Sequence, residues 1–210
     1  MKSFSEEQKK WVLDALDTLC RIFWGPDDEL CEFLLGQAFV RSLKAPALPP
    51  ACAPHDAPYR LKRFLSPYTD PAILCQDLET AYIRLFVSGR NGITAPLYAS
   101  CYEFENAPLM GPPAHAMEKR YQSKGLSLDK RLGEPPDHIA LELEYLWFLL
   151  KNGWAKNDEI LLDEAASFST EVISWVNRFR EKLEGENQCR FYPLAASHLL
   201  TILECVSSMR

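Results

Sequence analysis

No two of the seven cysteines form a CxxC pair, and they are scattered and odd in number. Neither a zinc site nor a disulfide scaffold is signalled. Such a set fits buried thiols kept reduced in a cytoplasm. The first ten residues, MKSFSEEQKK, hold no apolar signal core, and no apolar run reaches the length of a membrane span. Stable membrane insertion is not expected. Neither GxxxxGKS/T nor GxGxxG occurs, so nucleotide binding has no phosphate loop to support it. Positive charge is in the minority: 23 Lys and Arg stand against 29 Asp and Glu, a formal charge of -6. A nucleic-acid partner would more often select a basic chain. A cationic peptide or protein is the better electrostatic match. Sustained alternation of period two is also missing, which points to an all-α fold.

Apolar residues make up 47% of the 210 residues, ample for one packed domain spanning residues 1–210. The stretch that organises the rest is Glu134–Gly153, EPPDHIALELEYLWFLLKNG. Its Pro-Pro pair suits the first turn of a helix, no standard N-cap precedes the pair, and Gly153 is a plausible stop. On a helical wheel Ile139, Leu143, Leu146 and Leu150 form an apolar stripe. Leu141, Phe148, Tyr145 and Leu149 cover the flanks, so only Glu144, Trp147 and Lys151 make a polar sector. His138, Glu142 and Tyr145 share a face between apolar flanks. A buried carboxylate there needs a partner. The face is either a satisfied internal network or one wall of a cleft that receives a donor from outside.

Before this stretch, helical spacing runs from Ser5 to Gly25-Pro26, then from Asp27 through Ala38. Five prolines in Lys44–Pro58 forbid a regular helix and mark a crossover at about 44–58 that includes His55. Short helical patterns follow at Tyr59–Leu65 and from Asp70-Pro71 through Phe86, ended by Ser88-Gly89. Pro96, Tyr98 and Tyr102 then set aromatics beside a rigid turn, which suits a peptide-binding rim and a packed loop equally. Further helices are expected over about Ala114–Lys124, from a cap at Asn157 or Asp158 to about Leu183, and over Phe191–Met209.

Catalytic chemistry finds little support. His138 and Glu142 are spaced i,i+4 and His115 could add a third metal ligand, but no HExxH is present. A metal-dependent helical hydrolase is therefore an alternative, and a purely structural helical adaptor is another. No catalytic residue, metal or cofactor is assigned.

The segment EPPDHIALELEYL, Glu134–Leu146, closely resembles the signature of the TorD-like chaperones, the family of DmsD and NarJ relatives. Glu134, Asp137, His138, Glu142 and Leu143 fall on that motif. AYIRLFVSG, Ala81–Gly89, is similar to the family's aromatic-x-x-Leu-Phe helix end, and Pro96, Tyr98, Ser100 and Tyr102 resemble the positions that follow it. Leu97 stands where the family often carries Trp. The resemblance implies an all-helical, cytoplasmic, non-enzymatic chaperone, either monomeric or dimeric by helix exchange. It implies binding to the twin-arginine leader, or the apo form, of a molybdopterin-containing oxidoreductase, which assists cofactor insertion and delays export. Glu134, Asp137, His138, Glu142, Tyr145, Pro96, Tyr98 and Tyr102 are then the expected peptide-binding residues. Glu134–Glu144 offers four carboxylates and no Lys or Arg, which suits bidentate pairing with guanidinium groups.

Overall fold

A computed structural model describes residues 4–47, 56–89, 92–129, 133–185 and 189–209. His55 and most of the proline-rich crossover expected at about 44–58 lie outside the described residues. Among the described residues the regular elements are helical and none is a strand. They are α1 (Glu6–Trp24), α2 (Asp28–Leu35), α3 (Gln37–Ser42), α4 (Ala57–Leu65), α5 (Pro71–Tyr82), α6 (Pro112–Ser123), α7 (Ile139–Lys156), α8 (Glu159–Glu184) and α9 (Phe191–Ser207). A π-helical turn, Ile83–Val87, follows α5, and a 3-10 turn covers Ala99–Tyr102.

Local chemistry starts these helices where the sequence signals them. Ser5 and Gln8 form a reciprocal capping box on α1, and the carboxylates of Asp27, Asp70 and Asp158 accept backbone N–H groups at the starts of α2, α5 and α8. The pattern Asp27–Ala38 is broken in two, because Gly36 is extended (ψ 156°) between α2 and α3. The pattern ending at Phe86 loses its α-helical geometry at Ile83 and closes as a π turn.

The central helix departs from the expectation at both ends. It starts at Ile139, leaving the Pro-Pro pair in the preceding turn, and His138 is its N-cap: Nδ1 accepts the Ala140 N–H at 3.2 Å. It passes through Gly153 and ends at Asn157, which adopts a left-handed conformation (φ 50°). Gly153 serves packing instead. A Cβ there would meet Leu162 Cδ2 at 2.7 Å and Cγ at 2.9 Å, so α7 and α8 approach closely at this point.

α7, α8 and α9 pack with α1 around one core. Ile139, Leu146, Leu149 and Leu150 of α7 are fully buried in it, while Glu144 is exposed. An aromatic chain through Tyr82, Phe86, Tyr192 and Phe179, in mostly edge-to-face pairs, ties the π turn to α8 and α9.

Alanine at a helix-interior glycine normally stabilises by about 1 kcal/mol. Gly153→Ala should instead destabilise by about 1–3 kcal/mol through overpacking. In urea unfolding, the double variant Gly153→Ala/Leu162→Ala should be more stable than the sum of the two single losses.

Candidate functional site

The signature turn before α7 is clamped to the segment Pro96–Ser100. Ile139 N–H donates to the Leu97 carbonyl (2.8 Å) and Ala99 N–H to the Asp137 carbonyl (3.1 Å), giving an isolated antiparallel bridge between Tyr98 and His138. Asp137 is wholly buried, and its Oδ2 accepts both the Ser100 N–H (2.7 Å) and the Ser100 hydroxyl (2.5 Å). Ser100 Oγ in turn accepts the Gly111 N–H at 3.0 Å. The Tyr121 hydroxyl reaches the carbonyls of Pro136 (3.3 Å) and Leu141 (3.1 Å) from α6. The extended conformation of His138 (ψ 134°) follows from this bridge, and it leaves the imidazole free to turn back as the N-cap.

The residues expected on one cleft wall are distributed over three faces. Glu134 and Tyr98 meet at a partly exposed rim, with buried His138 beside Tyr98. The Tyr98 hydroxyl donates to Glu134 Oε2 (2.7 Å), and the His138 ring stands edge-on to Tyr98 at 5.3 Å. Pro96 belongs to the same rim, where its carbonyl accepts the hydroxyl of buried Tyr102. Glu142 points the other way, towards α8, where Oε2 accepts Trp175 Nε1–H at 3.0 Å. Tyr102 packs against that Trp175 ring. Tyr145 faces a third side, donating to Glu164, which also pairs with Lys124 (2.6 Å). The side chains of His138 and Glu142 share no hydrogen bond among the described residues, so the internal network between them is replaced by two separate ones.

Trp24, at the end of α1, joins the rim to a larger feature. Its ring stacks on His138 (4.8 Å, 16°), and its Nε1–H donates to Glu144 Oε1 (3.1 Å). Beyond it lies a groove of about 480 Å³ between α1, α7 and the segment 124–129. Leu16, Trp24, Leu126, Leu128, Leu141 and Phe148 line its floor and walls, and the Tyr145 ring closes one side. Two exposed carboxylates, Asp17 and Glu144, stand at its edge beside Arg21. The Arg21 guanidinium lies over the Phe33 ring, 5.5 Å from its centre. Glu134 lines a neighbouring depression that shares Tyr121, Leu126 and Leu128 with the groove.

Burial sets the protonation of two site groups. It lowers His138 to about 4, so the imidazole is neutral at neutral pH and Nδ1 remains an acceptor. It raises Glu142 to about 8 despite the Trp175 hydrogen bond. Among the described residues no group of three His, Cys, Asp or Glu is placed to hold a metal ion. His115 sits at the exposed surface beside Glu118.

A model of the family described as nitrate reductase delta subunit matches residues 53–181. That is well over half of the chain. The chain belongs to this family, that of the TorD-like redox-enzyme maturation chaperones. It is 30% identical over 137 residues to the chaperone protein TorD of Vibrio parahaemolyticus, which covers 63% of each chain. It is 32% identical over 124 residues to the chlorate reductase assembly chaperone protein of Ideonella dechloratans, covering 55% of this chain and 62% of that one. The chain thus aligns with less than two thirds of these relatives. The crystal structure of a protein from Archaeoglobus fulgidus, described as a redox enzyme maturation protein, shares the fold. Its TM-score is 0.55 at 22% identity over 97% of this chain and 98% of that one. The matched residues include the signature turn and α7 but not α1.

Sequence reasoning missed Trp24, Asp17 and Ser100. Trp24 and Asp17 are distant in sequence from the signature turn. Ser100 was noted only as a motif position, although a serine is an apt donor to a buried carboxylate.

Asp137→Ala should lower unfolding free energy by about 3 kcal/mol, because it strands the Ser100 N–H and hydroxyl. Asp137→Asn keeps an acceptor and should lose less. The neutral His138 of the folded state has a depressed pKa, so its stabilising contribution is present above about 6.5 and is lost as pH falls towards 4. His138→Asn preserves a capping acceptor and cannot titrate. The parent's stability relative to this variant should therefore fall by about 2 kcal/mol between pH 7 and pH 5, read from urea unfolding at each pH.

Proposed function

We propose that this chain is a cytoplasmic chaperone that binds the twin-arginine leader, or the apo form, of a molybdopterin-containing oxidoreductase, holding it for cofactor insertion and delaying its export. The observation that carries this reading is the apolar groove beside the signature turn, edged by the exposed carboxylates Asp17 and Glu144 with Glu134 nearby. A leader of this class combines guanidinium groups with an apolar segment. The groove's leucines, Phe148 and Trp24 suit the apolar segment. The edge carboxylates suit the guanidinium groups, with the planar fork favouring Arg over Lys. Tyr98 and Pro96 contribute the rim. The family role is assembly rather than catalysis. Among the described residues no helix is long and apolar enough to cross a membrane.

In this reading Asp137 is a positioning residue. Its Oδ2 is held by Ser100, and it sets Glu134 and Tyr98 at the rim and His138 beside them without touching the leader.

The test is calorimetric titration with twin-arginine leader peptides of candidate clients. Leu128→Asp, at the partly exposed edge of the groove, should abolish binding while leaving the unfolding midpoint nearly unchanged. Asp17→Asn/Glu144→Gln should weaken binding about tenfold, equivalent to about 1.4 kcal/mol, and reduce its salt dependence. Tyr98→Ala should weaken it as well. Peptides with Lys-Lys in place of Arg-Arg should bind more weakly. Parental affinity in Leu128→Asp would remove the groove from the account.

A further inference from the structure

Glu142 is an expected leader-binding residue that neither the rim nor the groove uses. Its carboxyl is 3% exposed and lies at the wall of a separate cavity of about 160 Å³ between α6, α7, α8 and the 3-10 turn. That volume is well beyond the space of one water. Met117, Phe168, Val172 and Trp175 supply apolar walls. Oε2 is held by Trp175, while Oε1 accepts no hydrogen bond among the described residues.

The charged groups around the cavity come from each element packed against it. Glu103 follows the 3-10 turn, Arg120 comes from α6, and Glu171 and Arg178 come from α8. Behind Glu142, buried Asp137 adds a second carboxylate. Arg120 gives its Nη2 to both oxygens of Glu171 (2.8 Å each), and its guanidinium lies over the Phe168 ring at 4.8 Å. Its charge is thus already matched outside the cavity floor. The formal charges at the mouth cancel, two against two. Among the described residues no cation pairs directly with Glu142, and Arg120 acts on it only from a distance.

A buried carboxylate without a counter-ion is unfavourable, so burial keeps Glu142 in its neutral form. A glutamine would hold the Trp175 N–H equally well and would occupy the same space. The property of Glu142 left unused within the chain is its capacity to become a carboxylate. We propose that this cavity is a second receptor site, separate from the groove, in which Glu142 takes a guanidinium group of the client and releases its proton as it does so. The carboxylate then pairs through Oε1, with the flat cation between the Phe168 and Trp175 rings. The inference rests on the chaperone reading for the identity of the client, but not for the chemistry of the cavity.

The first measurement uses methylguanidinium chloride as the probe and does not depend on any leader. The Trp175 indole N–H resonance, assigned with Trp175→Phe, reports the Glu142 carboxyl it bonds. In the free protein it should titrate near pH 8. Millimolar methylguanidinium should shift it at pH 7 and move the midpoint downward. Glu142→Gln should keep a folded protein with its Trp175 bond and abolish both effects. The second measurement titrates apo client enzyme into parent and Glu142→Gln. Parental affinity should rise up to tenfold per pH unit between pH 6 and pH 8, and the variant should lose that slope. Methylguanidinium shifts that persist in Glu142→Gln, or no shift in the parent, would overturn the proposal. So would identical pH profiles of client binding in the two proteins. Failure of leader peptides to bind the groove would overturn the groove assignment alone and leave the methylguanidinium result standing.

Discussion

The Asp137 carboxylate holds the functional half of this molecule together. A fully buried acid is admitted to the core only because Ser100 meets it with a backbone N–H and a hydroxyl on the same oxygen. That contact joins two segments more than thirty residues apart and fixes the register of the Tyr98–His138 bridge. The bridge holds His138 extended, the extension makes it an N-cap, and the cap fixes where α7 begins. The start of α7 at Ile139 and not at the prolines then sets which neighbours Glu142, Glu144 and Tyr145 meet. A shift of one position in that start would turn each of these side chains by about 100°.

This geometry explains which parts of the structure were legible beforehand. The helices marked by Asp27, Asp70 and Asp158 start where a side-chain acceptor precedes an apolar run, and such signals are local. The start of α7 was misread because its cap is a histidine in a tertiary bridge, which no local pattern encodes. Gly153 misled for a related reason: a glycine reads as a stop, but here it admits Leu162 from α8. The wheel of α7 identified the buried faces and the polar sector of Glu144 and Lys151 correctly. What lay opposite each face was not readable. Glu142 meets Trp175, His138 meets Trp24, and both partners come from helices distant in sequence.

His138 and Glu142 also pull stability in opposite directions with pH. Burial keeps His138 neutral, so acid opposes the fold as the unfolded chain gains a proton that the folded chain refuses. Burial keeps Glu142 protonated, so its neutral form suits the fold at low pH and its contribution is lost as pH rises towards 8. Between about pH 4.5 and 6.5 the two contributions partly cancel. A flat stability profile there would not mean that neither group is perturbed, and only the separate variants resolve them.

Trp24 is the physical link between what the family match covers and what it does not. The signature turn and α7 lie inside residues 53–181, whereas α1 lies outside them. Trp24 carries the α1 wall of the groove and is fixed by two groups from the matched region, the His138 ring beneath it and the Glu144 carboxylate at its edge. In the proposed reading the signature turn does not need to contact a client to influence recognition: by placing His138 it places Trp24. The charged α1 residues at the groove, Asp17 and Arg21, are free to differ without disturbing the clamp. If the groove receives the client as proposed, client choice is best sought on the exposed face of α1, where side chains alter the groove edge while the turn that supports it stays unchanged.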